Sequence, residues 1–303
     1  MSQTIGSKPS DTDEFALAVQ AANDTFVAEV NEQITLGTFD SSDRETMVKL
    51  VEGLGDTRGM VRLRFAETLG DIGEPATPFL VDALKHHENV VVRRAAAKTL
   101  TLIADPAAVP ALVESFLKDA DTVVRGSSAG ALARTGEAAA SSLLDILAAP
   151  EHPQEIKGHA AWALAFMGAE AEPYLYKAAN SDSLDVRCAV VGAMGHVAQE
   201  KSDEKSCDFL VSALTDPEPL MRTEAAAALG QINYPKAVPH LILALQDADL
   251  DVRKAAINSL GKLGDTQALN ALNALLTDES TVIQTLAKVA INQIERQAEA
   301  DDW

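Results

Sequence analysis

One pattern returns along this chain at a nearly constant interval: an aliphatic residue, a base, three variable places, a small residue, two more variable places and a leucine. It reads VRLRFAETL from Val61, VRRAAAKTL from Val92, VRGSSAGAL from Val124, IKGHAAWAL from Ile156, VRCAVVGAM from Val186, MRTEAAAAL from Met221 and VRKAAINSL from Val252. Counted from the basic residues Arg62, Arg93, Arg125, Lys157, Arg187, Arg222 and Arg253, the steps are 31, 32, 32, 30, 35 and 31 residues, and Ile283 continues the series in place of a base. A fixed period of this size means a repeat array, not a chain folded around one core. The small residue four places after the base and the leucine or methionine seven places after it share one face of an α-helix, so each phrase predicts a first helix with a buried stripe.

A glycine-containing stop follows each phrase, as at Gly70 to Gly73 and Gly261 to Gly264. A second apolar run comes next, such as FLVDAL from Phe79 or HLILAL from His240. Each unit is therefore a helical hairpin. One hairpin cannot bury both of its faces, and stacking against neighbours supplies the core. The tetratricopeptide signature and the ankyrin TPLH phrase do not occur. The Asp six places before the base (Asp56, Asp119, Asp216, Asp247), the Val-Arg pair and the Pro that opens the second helix (Pro78, Pro110, Pro173, Pro239) are HEAT-like. The expected fold is all-α, a right-handed α-solenoid of about seven to eight such hairpins. In this ladder the Asp is expected to cap the first helix and the Arg to tie adjacent turns.

Residues 1–13 read as a disordered polar lead, 14–55 as N-terminal capping helices, 56–297 as the repeat array and 298–303 as an acidic tail. Phe15 to Leu36 has helical spacing, and Ser42 with Glu45 forms a capping box ahead of MVKLVEGL. The segment Gln199 to Ser206, which lengthens one step of the period, reads as a charged, solvated loop.

Composition narrows the partners. Formal charge is −20, from 45 acidic and 25 basic side chains, which excludes the basic footprint that nucleic acid or an anionic membrane needs. Excess acid keeps an Ala-rich surface soluble. Asp82, Glu114 and Asp145 also stand at equivalent places on second helices, two after a buried Leu, and offer an alternative reading as a concave acidic stripe. No apolar run reaches the length of a membrane span, and the first residues lack the basic start and apolar core of a secretory signal. With two cysteines and no disulfide framework, a reducing cytoplasm is the expected location.

No GxSxG, HExxH, P-loop or CxxC phrase is present. Deoxyhypusine hydroxylase, a HEAT-type enzyme, binds two irons through His-Glu pairs. Here only His87-Glu88 has that order, which leaves a di-iron site short of ligands. Cys188 and Cys207 fall in one hairpin, as ordinary thiols or as half of a metal ligand set. No metal site is assigned.

Comparison between units singles out one of them. Five places after the base stand Glu67, Lys98, Gly130, Trp162, Gly192, Ala227 and Asn258. Nine places after it stand Asp71, Leu102, Arg134, Phe166, His196, Gln231 and Lys262. Both places are mostly polar or small, hence outward. Trp162 and Phe166 break the rule together. His159 shares their face and Tyr174 approaches from the paired helix, so these four are candidate residues for binding a ligand or partner. The alternative is that the segment from Glu151, EHPQE, covers Trp162. Tyr176 matches apolar residues of other units and reads as core.

The short units, the VRxxAxxLG phrases and the Ala-rich helices followed by AVPALV or AVPHLI resemble the phycobilin lyase HEAT-like family of cyanobacteria, over roughly Gly55 to Glu295. The resemblance implies a role in the phycobilisome antenna, assisting attachment of a linear tetrapyrrole to a phycobiliprotein cysteine, or its removal. Its partners would be phycobiliprotein subunits or another HEAT-like subunit. It implies no required cofactor, with a bilin as transient ligand, and transfers no catalytic residue. If the chain is an enzyme it is a phycobilin lyase. The competing reading is a non-catalytic scaffold or adaptor, including a link to iron-sulfur assembly.

Overall fold

A computed structural model describes residues 11–301 as α-helices joined by 3₁₀ turns and short loops, with no strand among the described residues. The chain divides into two compact units, 1–139 and 140–303. The first contains α1 (Asp11–Thr35), α2 (Arg44–Gly53), α3 (Gly59–Ile72), α4 (Thr77–His86), α5 (Val90–Ile103), α6 (Val109–Lys118), α7 (Thr122–Arg134) and the start of α8 (Glu137–Ala148). Its helices form two layers. In one, α1, α3, α5 and α7 pack side by side, and in the other α2, α4 and α6 do. The pair α1 and α2 thus stands as a degenerate first hairpin. Of the expected disordered lead, residues 1–10 lie outside the described residues, whereas 11–13 open α1.

The second unit contains the rest of α8, then α9 (Gln154–Met167), α10 (Glu172–Ala178), α11 (Leu184–Lys201), α12 (Glu204–Ala213), α13 (Pro219–Leu229), α14 (Val238–Ala244), α15 (Leu250–Leu263), α16 (Leu269–Ala274) and α17 (Thr281–Asp301). First helices α9, α11, α13, α15 and α17 pack in series, with the second helices against them. The expected acidic tail is helical through Asp301, and residues 302–303 lie outside the described residues.

Each first helix buries the stripe that the period predicts. Val92, Val124, Val186 and Val252 directly before the base, and Leu100, Leu132, Met194 and Leu260 seven places after it, are at most 2% exposed. Four second helices, α4, α6, α10 and α14, begin with a 3₁₀ turn and a proline near the first turn, Pro78, Pro110, Pro173 and Pro239, where the missing N–H has no helical partner to lose.

The Asp and Arg ladder is wired differently from the sequence reading. The helix caps stand four places before the base: Asn89, Asp121, Ser183 and Asp249 accept from the first backbone N–H groups of α5, α7, α11 and α15. Two places earlier, Asp119, Asp216 and Asp247 accept the N–H two residues on at 2.8–2.9 Å, which folds the loop ahead of the helix. The base then closes that loop. Arg62, Arg93, Arg125, Arg187, Arg222 and Arg253 each donate to the backbone carbonyl six residues back, at 2.6–3.2 Å. Gln284 does the same to Asp278 O at 2.7 Å. Gln284, not Ile283, therefore occupies the place of the base, and Ile283 is the buried aliphatic before it. At the N-terminus, Asp43 caps α2 through Glu45 N and Thr46 N, while Ser42 bonds Asp40; the capping residue is one place later than the capping-box reading puts it.

Candidate functional site

Trp162 and Phe166 lie one turn apart on α9, 50% and 56% exposed, with ring centroids 5.5 Å apart and planes inclined by 34°. The segment from Glu151 does not cover them. The register argument holds around them, since Lys98, Asn258, His196, Gln231 and Lys262 at the sister places are also exposed. Leu102 is also exposed at the place of Phe166, so a single apolar residue there is not distinctive; what differs in α9 is that both places carry large aromatic rings and that the two rings touch.

The step of 35 residues acts at the same place. The inserted segment does not form a solvated loop. Its first part extends α11 to Lys201, giving 18 residues against 14 in α9 and α15. The extension stops at Ser202, which takes a left-handed φ of 53°, and Asp203 then caps α12 by accepting from Ser206 N. Ala, Gln, Glu and Lys are good helix formers, so the run from Ala198 to Lys201 added to a helix end continues it. The added turn brings Gln199 and Glu200 up beside α9. With His196, Ala165 and Gly168 they complete an open depression of about 460 Å³ against the two rings.

Glu200 is fixed there. Its Oε2 accepts the Ala169 N–H at 2.9 Å, and Lys201 pairs with Glu172 at the start of α10. Gly168 makes room for this carboxylate: its φ is +57°, and a Cβ on it would collide with Glu200 Oε2. His196 occupies in α11 the place that Phe166 occupies in α9. That correspondence is the signal that would have found it from sequence; Glu200 had none, because it was assigned to a loop.

The other candidates fall elsewhere. His159 is exposed on α9 with Nδ1 2.8 Å from Glu155 O, and Tyr174 is half-buried on α10; neither lines the depression. Tyr176, expected in the core, is half-buried. Its ring meets Phe209 edge-on at 6.0 Å, Lys205 Nζ sits 3.8 Å from its centroid, and burial pushes its phenol up.

Of the acidic residues, all three are exposed. Asp82 on α4 lies 3.0 Å from His86 Nδ1. Glu114 on α6 pairs with Lys85 at 2.8 Å, and that hydrogen bond holds its carboxyl below the usual range. Asp82 lies on a groove of about 630 Å³ between α2 and α4, with Phe79, Arg44, His86 and His87 among its lining. Asp145 stands on α8 in the second unit.

Neither cysteine is set up as a nucleophile. Cys188 is half-buried with Sγ 3.7 Å from Met221 Sδ, and burial, with Glu224 nearby, pushes its thiol up to about 11. Cys207 is buried and likewise raised by burial. A thiol with a raised pKa holds little thiolate. Among the described residues no three His, Cys, Asp or Glu side chains converge as metal ligands, and no helix is long and apolar enough to cross a membrane. The site is equipped to stack a flat ligand and to accept a hydrogen bond from it.

Known proteins agree with this frame. The family of HEAT repeats matches residues 47–133, 77–165, 140–229 and 207–292. The chain is 38% identical over 267 residues to the bilin biosynthesis protein MpeU of Synechococcus sp. (strain WH8020), covering 88% of this chain and 90% of that protein. A shorter match to the phycocyanobilin lyase subunit alpha of Picosynechococcus sp. is 43% identical over 81 residues, 24% of this chain and 30% of that protein. Among solved structures, the karyopherin Kap121p, bound to the extreme C-terminus of the phosphatase Cdc14p, superposes with a TM-score of 0.58 at 14% identity. It covers 95% of this chain and 38% of that one, a likeness of fold alone. With its repeats matched along most of its length and a full-length relative among bilin biosynthesis proteins, the chain belongs to the phycobilin lyase HEAT-like repeat family.

Proposed function

We propose that this protein handles bilins for the phycobilisome antenna, holding a linear tetrapyrrole while it is attached to, or removed from, a phycobiliprotein. Its relationship to a bilin biosynthesis protein over 88% of the chain supports the pigment class. The observation that carries the site is the half-exposed Trp162–Phe166 pair, since a conjugated pigment gains most from stacking on adjacent aromatic faces. Burial pushes the thiols of Cys188 and Cys207 up, and neither lines the depression, so the acceptor thiol is assigned to the partner. The chain then contributes alignment: keeping the pigment's reactive carbon within reach of that thiol turns a bimolecular encounter into a local one. The relative named as a lyase subunit supports a second HEAT-like subunit as co-partner, beside the phycobiliprotein.

Purification from a bilin-producing host gives the test. The wild-type chain should retain visible absorbance, and Trp162→Ala should lose it with unchanged helical circular dichroism. Because Trp162 is half-exposed, truncation should change stability by less than about 1 kcal/mol. A colourless wild-type chain that retains a stable protein partner would instead identify a scaffold.

A further inference from the structure

Two irregularities of the repeat, one in composition and one in length, belong to neighbouring units and meet at one depression. The rings of α9 form one wall, and the added turn of α11 forms the other. That second wall is polar: His196, Gln199 and Glu200. No Lys or Arg stands among the described lining residues. Oε2 of Glu200 is held by Ala169 N–H, and Oε1 has no donor against it among the described residues.

We propose that Glu200 orients the pigment, its carboxylate accepting the pyrrole N–H groups of a tetrapyrrole stacked on Trp162 and Phe166. This rests on the bilin reading above and adds to it a direction of entry. A fixed carboxylate beside an apolar wall rewards a ligand edge that brings N–H donors, because a charge-assisted hydrogen bond replaces lost water. It repels a carboxylate. In a chain of net charge −20 that repulsion has no compensating base at this site. The conjugated rings therefore enter with their N–H edge toward α11, and the propionate side chains stay in solvent. Gly168 is a positioning residue for this arrangement, since any side chain there would displace Glu200.

Phycocyanobilin is the probe, titrated into the full chain and followed by absorption. Glu200→Gln keeps an oxygen for the Ala169 N–H while removing the charge, so the local fold survives. It should bind at least about tenfold more weakly, the measure of one charge-assisted bond. Its long-wavelength band should also move toward that of the free pigment. The dimethyl ester of the pigment should bind the wild-type chain as well as the free acid does. If wild type and Glu200→Gln bind equally, with the same band, while Trp162→Ala fails, the pigment reading stands and Glu200 is only a cap. Loss of binding by the ester would equally overturn the proposed orientation. A wild-type chain that binds neither form removes the function proposed above, and this assignment with it.

Discussion

Ala104 closes α5 in the left-handed region, φ 54°, eleven places after Arg93. The same place is glycine at Gly73, Gly136, Gly168 and Gly264, all with positive φ. A Cβ in that conformation is strained, so Ala104→Gly should stabilise the protein by about 0.5–1 kcal/mol, read as a higher urea midpoint at unchanged slope. Gly168→Ala should do the reverse. Its backbone strain amounts to about 1–3 kcal/mol, and the displaced Glu200 should weaken pigment retention as well. Single residues were legible in the sequence where a repeat gave them sisters for comparison. Trp162 and Phe166 stood out because their register neighbours are mostly polar or small. His159 was drawn in because it shares the helix face, but spacing along one helix says nothing of the neighbouring helix that builds the opposite wall.

At the level of the helix and its loop, the base of each unit is chiefly a backbone donor. Gln284 fills the same role without charge, which identifies closing the loop at the carbonyl six residues back as the shared requirement. Some bases add a second interaction. Arg222 reaches Asp247 of the following unit with two bonds of 2.7 and 2.8 Å, both side chains at most 15% exposed. Arg222→Met should therefore destabilise by about 2 kcal/mol, because it removes both guanidinium bonds and leaves the Asp247 carboxylate with only the Asp249 N–H and the more distant charge of Arg253. Lys236 and Glu204 are paired at 2.7 Å but are 65% and 71% exposed, and Lys236→Ala should leave the unfolding midpoint essentially unchanged. Thermal unfolding of the two variants side by side checks the contrast. Helix order and the buried stripe were readable because the period of 3.6 is written in the apolar residues. The assignment of caps was not, since Asp stands both four and six places before the base in the units of Arg125 and Arg253, and only the backbone path distinguishes an N-cap from a loop-folding turn.

For the molecule as a whole, acid is the informative perturbation. Hydrogen bonds from Arg58, joined by one from Asn23, hold Asp56 down at about 2, and Arg94 and Arg222 hold Asp121 and Asp247 below the usual range. A carboxyl depressed in the folded state contributes stability above its unfolded value near 4 and loses it as pH falls through the folded value. Stability from these contacts should be full above about pH 4 and decline toward pH 2, which a series of urea midpoints across that range would display. Lowering the pH from 7 toward the sequence isoelectric point near 4.6 relieves repulsion among the excess acids, so the decline should begin only below it.

The four residues that lengthen α11 relative to α9 and α15 correspond to slightly more than one helical turn, a rise of about 6 Å with a net rotation of only about 40°. That near-integral length keeps Glu200 on the same side as His196, so the wall grows deeper without turning away. Length changes at this junction are thus admissible only in whole turns. Shortening α11 by four residues should leave a folded protein with a shallower cleft, whereas removing two should swing the end of the helix by about half a turn and point its polar wall elsewhere. Cleft depth in a protein of this design is set in discrete increments, so under the pigment reading proposed above this single segment would set how much of a ligand the cleft covers.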